Sequence, residues 1–147
     1  MVIDELSAAS LDAALMDDLR RLLPHLTSRS LDLAQETPAA LGDPATTLLV
    51  AREQPAGRVV GMVSLIRYHV LTGRRARIED LVVDPEFRGR GIGEQLMQAA
   101  LARARQDRAQ VVDLTSNPRR SAANRLYLRL GFTRWETNVY RLVLEEA

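Results

Sequence analysis

The feature that most constrains this chain is a turn rich in glycine and arginine, residues 84–93, which reads Asp-Pro-Glu-Phe-Arg-Gly-Arg-Gly-Ile-Gly. An apolar, β-branched run predicts a strand before it, and apolar residues at helical spacing predict a helix after it. The turn therefore lies at a helix N-terminus, where unpaired N–H groups and the helix dipole attract anions. We call residues 88–94 the cradle and predict that it binds an anion such as a pyrophosphate. The alternative is a structural turn with solvated arginines.

Two familiar phosphate-binding spacings are absent from this turn. The chain has no GxxxxGKS or GxxxxGKT motif, and its glycines at 89, 91 and 93 alternate, which departs from GxGxxG. Instead, Arg88-x-x-Gly91-x-Gly93 after Leu-Val-Val-Asp-Pro resembles the coenzyme A signature of the GNAT acetyltransferases. Residues 124–132, Asn-Arg-Leu-Tyr-Leu-Arg-Leu-Gly-Phe, resemble the second conserved segment of that family. Two motifs in the family's order are more specific than either motif alone.

The resemblance implies the GNAT fold, an α/β (α+β) architecture with a mixed central sheet of about six or seven strands and about four helices. Sequence patterns predict the element order β-α-α-β-β-β-α-β-α-β. Residues 1–147 are expected to form a single domain, which is long enough to bury a proper core. The predicted strands cover residues 2–6, 46–52, 58–69, 77–83, 109–115 and 134–144, and the predicted helices cover residues 11–23, 30–41, 91–106 and 120–130.

The resemblance also implies that the chain binds acetyl-CoA as its cosubstrate. The main chain of a strand end would hydrogen-bond the pantetheine arm, the cradle would wrap the pyrophosphate, and two asparagines would hold the pantetheine or adenosine portion. Structural alternatives exist: the strand is simply buried, Asn117 before a proline forms a turn, and Asn124 bonds the backbone locally. The predicted coenzyme-binding residues are Leu81, Val82, Val83, Arg88, Gly89, Arg90, Gly91, Ile92, Gly93, Glu94, Asn117, Asn124 and Tyr127.

Acetyl transfer to an amine requires a base for the amine, donors for the oxyanion and an acid for the departing thiolate. A backbone amide of residues 81–83 is the expected oxyanion donor. Tyr127 lies where the resemblance places the family's tyrosine acid. The alternative for Tyr127 is a core aromatic on the apolar face of its helix.

Glu79 is the first candidate for the base, because it lies on the strand that leads into the cradle. Strand alternation would put Glu79 with Leu81 and Asp80 with Val82, so that only one carboxylate faces the acceptor. Partial burial would raise the pKa of such a carboxyl toward a useful range. The alternative is an exposed charge paired with Arg77 or Arg75, and Asp113 is the reserve candidate.

Composition excludes several function classes. Without cysteine no thiol can carry the acetyl group, which favours direct transfer in a ternary complex. The two histidines stand alone, so no metal site is expected, and a net charge of +1 predicts no nucleic-acid partner. Apolar runs are too short to span a membrane, and the first residues lack a basic leader before an apolar core. These observations favour a cytoplasmic enzyme.

The expected function is acetylation of a primary amine on a small molecule. The Ile-Glu-Asp-Leu-Val-Val-Asp run resembles the matching segment of glucosamine-phosphate acetyltransferases. Acetylation of a protein N-terminus or lysine is one alternative, and a non-catalytic acyl-CoA-binding sensor is another. A homodimer through the apolar C-terminal segment, residues 135–143, is also expected.

Overall fold

A computed structural model describes residues 1–145 of the chain. The chain folds as two compact units, Met1–Leu114 and a second that begins at Thr115. Among the described residues, the first unit contains every strand and three α-helices, and the second contains the fourth α-helix. The expected mixed α/β architecture with four helices is confirmed, whereas the single-domain organisation stays a prediction.

The elements of the first unit are β1 (Val2–Glu5), α1 (Ala13–Leu22), α2 (Leu33–Gly42), β2 (Thr46–Arg52), β3 (Val59–Val70), β4 (Gly73–Val83), α3 (Ile92–Gln106) and β5 (Val111–Asp113). The strands lie in the spatial order β1-β2-β3-β4-β5. The first four are antiparallel, and β5 runs parallel to β4. The parallel pairing of β5 with β4 follows from the crossover through α3, which returns the chain to the end of the sheet where β4 begins.

One face of the sheet packs against α1. Asp12 begins this helix by accepting a hydrogen bond from the N–H of Leu15 at 2.8 Å. The helix then buries Leu15, Leu19 and Leu22 at helical spacing. This stripe fixes α1 on the sheet through one buried apolar cluster, which contains Leu6, Leu15, Leu19, Leu22, Leu48, Val50, Val59, Met62 and Val82.

The opposite face of the sheet packs against α3. Gly61 of β3 shows how closely the helix approaches. A Cβ at this position would lie 3.1 Å from Leu96 Cδ1 and 3.3 Å from Ile92 Cγ2. The absence of a side chain therefore lets the N-terminal half of α3 lie directly on the strands. Its buried residues are Ile92, Leu96, Met97, Ala100 and Ala104.

The second unit contains α4 (Ser121–Arg129), which ends in a Schellman motif. Gly131 adopts a φ of +96°, its N–H donates to Leu128 O at 3.1 Å, and the N–H of Phe132 donates to Tyr127 O at 3.0 Å. The rings of Tyr127 and Phe132 meet edge to face with centroids 6.0 Å apart. The glycine predicted to close this helix does close it.

The expected final strand over residues 134–144 is not formed, so the prediction of six or seven strands is wrong and the described chain has five. The element order therefore ends at α4. The segment has the β-branched and aromatic composition typical of strands. A strand also needs a neighbour for its backbone hydrogen bonds, and no ladder of the described chain includes this segment. Trp135 and Tyr140 are 79% and 88% exposed instead.

Candidate functional site

The chain enters the cradle through a short 3₁₀ turn, Pro85–Phe87. Asp84 opens this turn: its Oδ1 accepts from the N–H of Glu86 at 2.9 Å, and its carbonyl oxygen accepts from the N–H of Phe87 at 2.8 Å. Proline suits the first position, because it has no N–H that would need an acceptor. The turn gives the cradle a fixed starting point.

The cradle has two left-handed glycines. Gly89 has a φ of +75°, and Gly91 has a φ of +76° and is the N-cap of α3. Apart from the chain neighbours, no protein atom lies within 4 Å of the place that a Cβ would take at either glycine. The amides of the first turn of α3 have no acceptor within the helix. Open space above a positive helix end fits a phosphate group and its approach to the backbone.

Three arginines add positive charge to the cradle entrance. The guanidinium carbons of Arg90 and Arg58 lie 4.7 Å and 5.4 Å from the ring centroid of Phe87, which is buried. Arg88 Nε donates to Val83 O at 3.3 Å. These contacts concentrate cations beside the N-terminus of α3, as an anion site requires.

The strands β4 and β5 part just before the cradle. Their parallel pairing covers only three residue pairs and ends at Arg77 and Asp113. Beyond that point, residues 78–83 pair with β3 alone within the described chain. Leu81, Val82 and Val83 therefore lie on a sheet edge with backbone groups that a ligand can pair with. This is the edge where the resemblance places the pantetheine arm.

A β-bulge interrupts β4 beside the candidate base. Met62 of β3 is opposite Val82, and Ser64 is opposite Glu79, so Asp80 and Leu81 together face the single residue Val63. Asp80 takes a φ of +55°, a left-handed conformation that aspartate tolerates. The bulge puts Glu79 and Val82 on the same face of the sheet. The expected simple alternation of residues 79–82 is wrong for this reason.

The two adjacent carboxylates have different surroundings. Glu79 Oε1 accepts a hydrogen bond from Arg77 Nε at 2.5 Å, which is the pairing that the structural alternative predicted. The pKa of the Asp80 carboxyl is raised above its ordinary value. Partial desolvation is the larger cause, and the negative charge of Glu79 is the smaller one. Asp113 lies opposite Arg77 on β5.

The remaining predicted site residues lie in the second unit. Asn117 Oδ1 accepts from the N–H of Arg119 at 2.9 Å, and Asn124 Nδ2 donates to Asn117 O at 3.0 Å. Both asparagines therefore have the local roles that the structural alternatives predicted. Tyr127 is buried; desolvation raises the pKa of its phenol, while the positive charge of Arg120 acts in the opposite direction.

Sequence reasoning missed two features of the first unit. The bulge at Asp80 depends on pairing with β3, and only the tolerance of aspartate for left-handed backbone was a signal. Arg21 of α1 forms an ion pair with Asp84 across 63 positions of sequence. The Asp84-Pro85 pair indicated that Asp84 caps a turn, but no residue near Arg21 in the sequence indicated that Arg21 pairs with Asp84.

The comparisons with known proteins come from sequence and structure. A family model described as the acetyltransferase (GNAT) family matches residues 11–132. The chain belongs to the GNAT acetyltransferase family. Members of this family use acetyl-CoA, and in this chain the match spans the cradle, Glu79 and Tyr127.

Two relatives match part of the chain. The aminoalkylphosphonate N-acetyltransferase of Salmonella typhimurium is 42% identical over 78 residues, which are 52% of this chain and 51% of that protein. The glucosamine 6-phosphate N-acetyltransferase of Trypanosoma brucei brucei is 51% identical over 47 residues, 30% of this chain and 32% of that protein. The match thus spans about half of the first relative and about a third of the second.

Solved structures share the fold over nearly the whole chain. A Trypanosoma brucei acetyltransferase superposes with a TM-score of 0.74 at 29% identity, and the match covers 97% of this chain and 99% of that one. Within residues 1–145 no helix is long and apolar enough to cross a membrane. The same described residues contain no group of three His, Cys, Asp or Glu that could hold a metal ion.

Replacing Gly91 by alanine is expected to weaken acetyl-CoA binding at least tenfold. The added Cβ would occupy the open space above the cradle, while the left-handed backbone costs about 1–2 kcal/mol of stability. Gly131→Ala is the matched control, because Gly131 also has a positive φ and, apart from its chain neighbours, no atom of residues 1–145 lies within 4 Å of the place that its Cβ would take. Calorimetric titration with acetyl-CoA checks the prediction. Equal affinities in the two variants would mean that the cradle does not hold the coenzyme.

Proposed function

We propose that this protein transfers the acetyl group of acetyl-CoA to the primary amine of a small-molecule acceptor, by direct attack in a ternary complex. The observation that carries the proposal is the left-handed glycine cradle on the N-terminus of α3, beside the unpaired edge of β4. Together these offer amides for a pyrophosphate and a strand edge for an amide-bearing arm. A cytoplasmic location and a homodimer belong to the same proposal.

The chain's own groups supply the proton transfers that the reaction needs. Glu79, directly or through a water, takes the proton of the attacking ammonium so that a neutral amine can form the N–C bond. A backbone N–H of Leu81, Val82 or Val83 stabilises the oxyanion of the tetrahedral intermediate. As the C–S bond breaks, Tyr127 gives its proton to the leaving thiolate, and the nitrogen of the new amide releases its second proton to the resulting phenolate, which restores Tyr127. Asn117 and Asn124 complete the coenzyme contacts.

The acceptor proposed is an amine that also carries an anionic group. Arg75 and Arg77 precede Glu79 on the same face of β4, since they are opposite Tyr68, Ile66 and Ser64 of β3 in turn. Tyr68 is 40% exposed and the side chain of Glu79 is 43% exposed, so these two side chains can be reached from solvent. An acceptor bound along the strand would place its anionic group near Arg75 and Arg77 and its amine near Glu79. The named substrates of the two relatives, an aminoalkylphosphonate and a sugar amine phosphate, have this chemistry.

A release assay tests the function. The protein is mixed with acetyl-CoA and with 2-aminoethylphosphonate, β-alanine, propylamine or a lysine-containing peptide, and free CoA is measured with a thiol reagent. Acetyl-CoA binding is measured separately by calorimetric titration. The chain has no cysteine, so it adds no background. Transfer to at least one amine supports the enzyme. Acetyl-CoA binding without transfer to any amine would favour the sensor, and transfer only to peptides would favour the protein acetyltransferase.

Arg75→Gln is expected to raise KM for 2-aminoethylphosphonate about tenfold and to leave kcat/KM for propylamine unchanged. A charge-assisted hydrogen bond to an anion accounts for a loss of this size. In the free protein the guanidinium of Arg75 donates to the hydroxyl of Thr72 at 3.1 Å, an exposed hydrogen bond that is easily given up. Arg74→Gln is the control, because Arg74 is opposite His69 on the other face of the strand. If Arg75→Gln and Arg74→Gln change KM equally, Arg75 does not bind an anionic group of the acceptor.

A further inference from the structure

The last turn of α1 is joined to the entrance of the cradle by an arginine. Arg21 forms an ion pair with Asp84 Oδ2, and its second terminal nitrogen donates to the carbonyl oxygen of Val59 at 2.5 Å. The side chain of Asp84 is only 8% exposed and that of Arg21 is 31% exposed. This contact joins residues that are far apart in the sequence.

A second set of hydrogen bonds ties the same three segments together. Asp18, one turn before Arg21, accepts from the N–H of Val59 at 2.9 Å. The N–H of Asp84 donates to Val60 O at 2.8 Å. The start of β3 thus holds both α1 and the residue that begins the cradle turn. Asp18 Oδ1 also lies 3.4 Å from a terminal nitrogen of Arg21, so the network links its own members.

Asp84 uses its two carboxylate oxygens for different tasks. Oδ2 receives Arg21, while Oδ1 caps the 3₁₀ turn through the N–H of Glu86 at 2.9 Å. The orientation of the carboxylate therefore fixes the direction in which the chain leaves β4. Four residues later the backbone reaches Arg88 and the glycines of the cradle. An error of about 1 Å in a binding group can cost two orders of magnitude in activity.

We propose that Arg21 and Asp84 are positioning residues for the donor site, and that α1 sets the affinity of the cradle for acetyl-CoA through this pair. The inference rests on the proposed function, because it takes the cradle as the coenzyme site. A mostly buried ion pair contributes little net stability, since desolvation of both charges opposes their attraction. Its value lies in specifying one arrangement of α1, β3 and the cradle. Removing Arg21 leaves the mostly buried carboxylate of Asp84 without this cation, and removing Asp84 leaves Arg21 with its longer, 3.4 Å contact to Asp18. Either change frees the turn.

The test measures the Kd for acetyl-CoA and the thermal midpoint of Arg21→Gln, Asp84→Asn and the double variant. Each single variant is expected to raise Kd at least tenfold. The double variant should bind no more weakly than the worse single variant, because both remove one interaction. Arg21→Lys keeps the charge but loses the two-pronged geometry, so its Kd should lie between the wild type and Arg21→Gln. It also provides a measurement if Arg21→Gln does not fold.

Arg52→Gln is the matched control for a merely structural effect. Arg52 also bridges a carboxylate and a carbonyl, with Asp4 Oδ2 at 3.1 Å and Gly57 O at 2.7 Å, and it lies on β2. This variant should lower the midpoint and leave Kd unchanged. Lower midpoints with unchanged Kd in the Arg21 and Asp84 variants would overturn the inference while the wild type still binds. A wild type that does not bind acetyl-CoA would instead overturn the proposed function itself.

Discussion

Tyr127→Phe is expected to lower kcat about a hundredfold or more while acetyl-CoA binds with nearly unchanged affinity. General acid catalysis contributes factors of about 10² to 10⁴, and this substitution removes only the hydroxyl that would give the proton. The ring of Tyr127 is buried and packs edge to face against Phe132. Phenylalanine keeps that packing, so the loss should appear in the chemical step and not in folding. Steady-state kinetics and coenzyme titration on the same sample distinguish a loss in the chemical step from a loss of folding or of coenzyme binding.

The raised pKa of Tyr127 keeps the phenol in its protonated form and also makes it a weaker acid. Desolvation raises the pKa of the phenol above its ordinary value of 10.0, with Arg120 opposing. The hydroxyl therefore stays protonated at neutral pH and can protonate the thiolate. On the alkaline side, the wild type should lose kcat as pH rises toward that pKa, and the variant should lack this alkaline limb.

Tyr140→Phe is the control for the loss of a tyrosine hydroxyl. Tyr140 is 88% exposed, and its hydroxyl accepts only a 3.4 Å hydrogen bond from Asn138 Nδ2 among the described contacts. Its kcat should match the wild type. If Tyr127→Phe also keeps kcat within about twofold, the thiolate obtains its proton from water and the acid role is wrong.

The parts of the fold that the sequence predicted are those set by local chemistry. Alternating glycines after a strand indicated the cradle, and the structure gives Gly89 and Gly91 the left-handed backbone that glycine allows. Gly131 likewise closes α4. The spacing of apolar residues predicted the helices, because a helix on a protein surface buries one apolar face. In each case the residues that carry the signal are neighbours in the chain.

The parts that the sequence did not predict depend on partners distant in the chain. Residues 134–144 have strand composition but no strand to pair with among the described residues. The bulge at Asp80 exists only relative to Val63 on β3. The pairing of Arg21 with Asp84 joins the end of one helix to the start of a turn. The hydrophobic period of a segment and its strand or helix propensity do not determine which strand it pairs with, in which register, or which distant charge it contacts.

Glu79→Gln is expected to lower kcat/KM about a hundredfold or more at neutral pH and to remove the acid limb of the pH-rate profile, so that the difference from the wild type shrinks as pH falls. The glutamine keeps the size and hydrogen-bonding shape of the side chain but cannot take the amine's proton. The measurement is a profile of kcat/KM from acid to neutral pH for the wild type and the variant. Glu79 is the first candidate because it lies on the strand that leads into the cradle and its side chain is 43% exposed.

The neighbouring Asp80 gives the same experiment a second, distinguishable outcome. The charge of Glu79 is one cause of the raised pKa of Asp80, so Glu79→Gln moves the pKa of Asp80 down toward its usual range. If Asp80 is the base, the variant therefore keeps most of its rate at neutral pH and its acid limb shifts to lower pH. That result would contradict the role of Glu79 and transfer it to its neighbour.

Asp80→Asn is the companion variant, and its stability reports the raised pKa independently of activity. Asparagine also tolerates the left-handed backbone, so the φ of +55° is no obstacle. A carboxyl with a raised folded-state pKa contributes stability below its unfolded pKa, about 3.9, and that contribution is lost as pH rises through the folded pKa. Asparagine never ionises, so the variant should gain stability over the wild type between about pH 4 and pH 7. Urea unfolding at both ends of this range should show a gain that grows with pH, because only the wild-type carboxylate must ionise in a partly desolvated site.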